Sequence, residues 1–158
     1  MPMPRIAALS IAAIVAFGTL AAFADDIVVD PAIASMTADQ KVDARQALMK
    51  DNGGTLKSLF SGAVTGDAAV AAATKLVQNF TNLPALFADG ATNDKSEALP
   101  LIWTEFDKFT AESDKAKALA VALVEAVKTG DAAAIGAAAK PLGGVCGECH
   151  QTYRKPQG

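Results

Sequence analysis

The chain has 158 residues, with 14 Lys and Arg against 17 Asp and Glu, a formal net charge of −3, and 51% hydrophobic residues. This length suits one domain with a single core. The acidic balance argues against nucleic acid as a partner, while permitting electrostatic docking to a basic one.

The first segment has the anatomy of a secretory signal. Met1 to Arg5 carries one positive charge, and an apolar run follows from Ile6 to Phe23, broken only by Ser10, Gly18 and Thr19. Ala22-Phe23-Ala24 makes an A-x-A cleavage site before Asp25-Asp26. An uncleaved membrane anchor is the alternative, but the cleavage site and acidic start favour removal. Residues 1–24 are therefore set apart as a cleaved signal, and 25–158 as the mature domain, with no stable membrane insertion. Losing Arg5 leaves 13 basic against 17 acidic residues, a net of −4.

The remaining chain reads as four helices and no strands. The first spans about Ala38 to Ser61. Thr37 is its N-cap, with Gln40 three residues on as in a capping box. Val42, Arg45, Met49, Leu56 and Phe60 recur at helical spacing, with Leu48 and Leu59 beside them. Gly53-Gly54 weakens its middle and suggests close approach of another group.

The second helix spans about Asp67 to Ala88, striped by Val70, Ala73, Leu76, Val77 and Phe80, with Pro84 kinking it or restarting a last turn. The third spans about Ile102 to Lys128, with Trp103, Phe106, Phe109, Leu119, Leu123 and Val127 as candidate core. The fourth spans about Asp131 to Arg154, interrupted by Pro141 and Gly143-Gly144, so that its first half is a candidate separate piece.

Thr65-Gly66-Asp67-Ala68-Ala69 recurs as Thr129-Gly130-Asp131-Ala132-Ala133. In each, Gly suits a helix C′ position and Asp an N-cap. Two such short joints make antiparallel neighbours, and a longer link over 89–100 joins the hairpins. The expected fold is all-α, an antiparallel up-down-up-down four-helix bundle.

Cys146-Gly147-Glu148-Cys149-His150 holds both cysteines and the only histidine of the chain. C-x-x-C-H is the attachment signature of c-type haem. A structural zinc site wants four Cys or His ligands, and three exist. A thioredoxin-like C-x-x-C wants a βαβ context, and no strand pattern surrounds it. A disulfide in an oxidising compartment is the plainer rival, but it needs no adjacent histidine. One covalent haem c through Cys146 and Cys149, with His150 as the proximal iron ligand, accounts for all three residues. Such attachment belongs to the bacterial periplasm, in agreement with the signal.

On a helix, Cys146 and Cys149 share a face, while Tyr153 and Arg154 lie on the flank of His150. Arg154 either presses on the imidazole, pairs with a propionate, or is a solvated cation at a helix C-terminus. The second axial position is left to methionine, lysine or no residue. Of the methionines after the signal, Met36 precedes the first helix, and Met49 lies on its apolar stripe. Met49 is thus the candidate distal iron ligand, against a plain packing role. Arg45, one turn earlier, needs an anion if buried, which a haem propionate would supply; a snorkelling side chain is the alternative. Trp103 and Phe106 are large enough to wall the porphyrin or to be ordinary core.

A C-terminal C-x-x-C-H in a four-helix bundle resembles the class II c-type cytochromes, the cytochrome c′ and cytochrome c-556 group, cytochrome c′ being a known four-helix bundle. The resemblance extends to Arg45-Gln46-Ala47-Leu48-Met49-Lys50, Ala98-Leu99-Pro100-Leu101-Ile102-Trp103 and Cys149-His150-Gln151-Thr152-Tyr153-Arg154. It implies one covalent haem, His150 as proximal ligand, Arg45 near a propionate and position 49 on the distal side. Low-spin members ligate iron with a methionine there; high-spin members leave the sixth site open.

Two functions follow. The first is a single-electron carrier with low-spin His/Met iron, serving periplasmic redox partners. The alternative is a high-spin protein binding nitric oxide or carbon monoxide at an open sixth site, in a pocket lined by Leu48 and Leu56. No enzyme constellation is expected, and the chain is expected to be a monomer or homodimer.

Overall fold

The computed structural model describes residues 27–156; the expected signal, 1–24, lies outside the described residues. The helices are α1 (Ala38–Phe60), α2 (Gly66–Asn82), a four-residue α3 (Leu101–Thr104), α4 (Phe106–Thr129) and α5 (Ala132–Tyr153). Among the described residues there is no strand, only an isolated antiparallel bridge between Ala98 and Arg154. The architecture is an all-α, antiparallel four-helix bundle of α1, α2, α4 and α5. The most extensive helix contacts are α2 on α4 and α4 on α5, with α1 resting more lightly on α2 and α5.

Local sequence accounts for the element ends. The capping box at α1 is present: Gln40 N donates to Thr37 Oγ1 at 3.3 Å, and Thr37 N donates to Gln40 Oε1 at 2.8 Å. The helix stops five residues before Thr65, because Gly62 takes φ +70°. Ala63 N then bonds Ser58 O and Gly62 N bonds Leu59 O, closing the last turn as a Schellman motif. The two Thr-Gly-Asp joints therefore differ. Gly130 (φ +69°) and Asp131 end α4 and cap α5 as expected, with Ala133 N donating to Asp131 Oδ1 at 2.8 Å. In the first joint Thr65, not Asp67, is the N-cap, and it makes no side-chain cap bond.

Three further expectations need correction. The expected third helix is broken at Glu105 (φ −127°, ψ 39°), which separates α3 from α4. The expected interruption of the fourth helix does not occur: α5 is continuous with Pro141 inside it. Pro141 is exposed, so the carbonyl it frees faces water rather than the core. Phe60, expected on the apolar stripe, is exposed because it falls in the last turn of α1. Pro84 does restart a turn, a 3-10 piece over Pro84–Leu86.

The segment before α1 is also held down. Pro31–Ser35 forms a 3-10 turn, Ile33 is buried, and Asp30 N donates to Asn82 Oδ1 at 2.9 Å. Met36 packs against the core from this segment. At the centre, Phe109 (2% exposed) meets Phe87 edge-on at 4.8 Å and Tyr153 at 5.4 Å between ring centroids. Among the described residues no helix is long and apolar enough to cross a membrane.

Candidate haem-binding site

The C-x-x-C-H motif occupies the last two turns of α5, with Cys146 and Cys149 as free, half-buried thiols and His150 half-buried beside them. Neighbouring elements fix this end of the helix. Lys115 Nζ of α4 bonds Glu148 Oε2 at 2.9 Å. The link between the hairpins is strapped across it: Leu99 N donates to Tyr153 O and Lys155 N to Glu97 O, each at 2.8 Å. Arg154, at the C-cap, pairs with Glu97, its Nε donating to Glu97 Oε2 at 2.8 Å.

Burial sets the protonation of the three motif side chains. It pushes the Cys146 thiol up and, helped by the charges of Glu112 and Cys146, pushes Cys149 up to about 11. Burial first, and the Arg154 charge second, lower the His150 pKa. The imidazole is thereby kept neutral, the form that can ligate a metal.

Two adjoining cavities of about 480 and 280 Å³ open against the motif. Both are lined by Met49, Phe109, Cys149 and His150. Their far wall is α1, and a gap there fits the lighter packing of that helix. The combined space is within the range of small-molecule and cofactor sites.

Arg45 lines the larger cavity and is 4% exposed. Its Nη1 donates to Leu86 O at 3.1 Å and Ala91 O at 2.7 Å, and its Nη2 to Ser96 Oγ at 2.8 Å. Its guanidinium also lies 4.2 Å from the centroid of the Phe87 ring. All these partners are neutral, and among the described residues no carboxylate pairs with it. Burial lowers its pKa to about 10, so it remains a cation at neutral pH.

The other expected site residues divide. Met49 lines both cavities, facing the space that His150 also lines. Arg154 lines the larger one, already engaged by Glu97. Met36 lines neither. Trp103 donates its Nε1 to Phe87 O at 2.7 Å, and neither it nor Phe106 lines these two cavities. The aromatic wall is instead Phe87, Phe109 and Tyr153. Leu48 is core rather than pocket lining, whereas Leu56 does line the smaller cavity.

Gly53 and Gly143 line the smaller cavity too. A Cβ on Gly53 would meet nothing within 4 Å, and one on Gly143 only Leu56 Cδ2 at 3.9 Å. The α1 glycines therefore do not mark close helix–helix contact; Gly53 and Gly143 leave room at the cavity. Asn52 and Glu112 are polar lining residues that sequence pattern did not single out. Both are charged or amide side chains at helical positions indistinguishable, in one dimension, from a solvated face.

The residues fit a covalent haem. Two thiols share one helix face, an imidazole follows, and the buried Arg45 guanidinium, with no carboxylate among the described residues paired to it, lines the adjoining cavity.

The family described as Cytochrome C' matches residues 40–154. The chain belongs to the cytochrome c′ family. It is 34% identical over 120 residues to cytochrome c′ of Pararhodospirillum photometricum, covering 72% of this chain and 95% of that protein. It is 38% identical over 119 residues to cytochrome c-556 of Agrobacterium fabrum, covering 72% and 80%. Its fold is similar to a nitric oxide complex of a variant of cytochrome c prime from Alcaligenes xylosoxidans (TM-score 0.65, 24% identity, 76% of this chain and 98% of that one). As a member of this family the chain carries one haem c, attached through Cys146 and Cys149.

Proposed function

We propose that this cytochrome works in the periplasm and binds a small gas, nitric oxide or carbon monoxide, on the Met49 side of a haem iron ligated by His150. The observation that carries this reading is the largely apolar wall on the Met49 side of the motif, where Leu56, Phe80, Leu83 and Val145 border the space a haem would fill. Beside the polar Asn52 and Glu112, the apolar side chains of this wall suit an uncharged diatomic. The nitric oxide complex of the Alcaligenes xylosoxidans protein is in line with it. When bound, the haem would supply an iron capable of one-electron redox chemistry and of binding a small ligand. The chain's own residues would hold it: Cys146 and Cys149 by thioether bonds, His150 by its imidazole, Arg45 by its charge toward a propionate. Arg154, paired with Glu97, braces the end of α5 next to His150.

One observation favours a second reading. Met49 lines both cavities, and the chain is similar to cytochromes c-556. A thioether on iron would make the protein the low-spin His/Met electron carrier expected first from sequence, with redox proteins as partners. The visible absorption spectrum of the purified ferric protein separates the two. A high-spin spectrum supports the gas-binding reading. A low-spin spectrum that turns high-spin in Met49→Ala supports the carrier and rejects the open site.

A further inference from the structure

Asn52 stands one turn beyond Met49 on α1 and lines the cavity that Met49 and His150 line. It is 7% exposed, and its Nδ2 is buried without a hydrogen-bond partner. Buried amide donors are nearly always satisfied, so an orphan of this kind asks for an acceptor. The amide's orientation follows from a chain of hydrogen bonds that begins at the surface. Lys75 Nζ donates to Asp51 Oδ1 at 2.9 Å. An ionised carboxylate only accepts, so Asn79 must turn its Nδ2 toward Asp51 Oδ2, at 3.0 Å. The same Nδ2 donates to Asn52 Oδ1 at 2.7 Å. The Asn52 oxygen is thus taken, and its N–H groups are left on the other side of the amide.

We propose that Asn52 Nδ2 is the hydrogen-bond donor to a diatomic ligand held on the Met49 side of the haem. This rests on the gas-binding reading above and sets its selectivity. Around Asn52 the wall is largely apolar, with Leu56, Phe80 and Leu83, and the one carboxylate that also lines it, Glu112, has its buried Oε2 likewise without a hydrogen-bond partner and not bonded to Asn52. A single donor in such surroundings polarises the far atom of the ligand and slows its escape. Asn79 and Asp51 act as positioning residues, because they hold the amide with its nitrogen free.

The test uses the holoprotein with Met49→Ala, which opens the iron position whether or not Met49 ligates. Asn52→Leu, alike in branching but without a donor, is added to it. The ferrous carbon monoxide adduct is read by infrared spectroscopy and by its dissociation rate. Loss of the donor is expected to move the C–O stretch to higher wavenumber and to speed dissociation about five- to tenfold, the equivalent of one ordinary hydrogen bond. An unchanged stretch and an unchanged rate overturn the proposal. Should Asn52→Leu lose its helical circular dichroism, Asn52→Ala replaces it with the same criteria. A wild-type protein that takes up no carbon monoxide overturns the gas-binding reading alone, and the Met49→Ala pair still decides the role of Asn52.

Discussion

Replacing Arg45 with Leu is expected to destabilise the holoprotein by ~3 kcal/mol. The side chain donates three hydrogen bonds, to Leu86 O, Ala91 O and Ser96 Oγ. A hydrogen bond of a charged group contributes ~1.5–3 kcal/mol net of desolvation, and three bonds from one guanidinium overlap rather than add in full. The burial that lowers the Arg45 pKa to about 10 marks the cost of keeping the charge there. The residues that accept its bonds are themselves buried, so water does not readily replace the lost donor. Leu relieves that cost and strands the acceptors, which leaves a net loss of ~3 kcal/mol. Arg45→Lys should fall between, since one ammonium matches three acceptors in a fixed fork poorly. Urea unfolding at constant m-value measures all three proteins. A loss below ~1 kcal/mol in Arg45→Leu would refute the claim that this cation anchors the inter-hairpin link to α1.

Trp103→Phe removes the indole bond to Phe87 O and should cost ~1 kcal/mol, while leaving the haem absorption unchanged because Trp103 lies outside the cavity lining; an altered spectrum would contradict that placement. Pro141→Ala, on the exposed side of α5, should raise stability by ~1–3 kcal/mol by restoring a helix bond, measured as a higher melting temperature; a lower one would show that the proline is required. Replacing Cys146 and Cys149 together with Ala should abolish covalent haem and leave a loosely packed bundle, since a large hole weakens a core; a double variant with the parent's urea midpoint would show that no haem packs there. Phe109→Ala should cost ~3–5 kcal/mol, because its ring is core for both Phe87 and Tyr153; the same urea assay checks it.

Much of the bundle was legible because its signals are local. Thr37 with Gln40, Gly130 with Asp131, and the apolar spacing in α2 and α4 each act within a turn or two of helix. What was misread depended on partners distant in sequence. Glu105 breaks a helix whose pattern is continuous, and the α5 terminus is strapped to the link by Leu99 and Lys155. Pro141 was read as a breaker because sequence does not show which side of a helix faces water. At the site, C-x-x-C-H was legible outright, since the spacing itself is the chemistry. Arg45 was legible as a cation that would need a partner if buried, but not as the donor to three neutral acceptors 41 to 51 residues away. Trp103 shows the limit too: its size did not reveal that its indole N–H bonds Phe87 O, nor that Phe87, Phe109 and Tyr153 are the aromatic residues lining the larger cavity.

Titration of the dithionite-reduced wild-type protein with carbon monoxide, followed at the Soret band, tests the central claim most directly. A ligand site beside Met49 predicts a saturable shift of the band at one carbon monoxide per chain. A Soret band that does not move at saturating gas, but does so in Met49→Ala, would show the thioether holding the iron and contradict the open site.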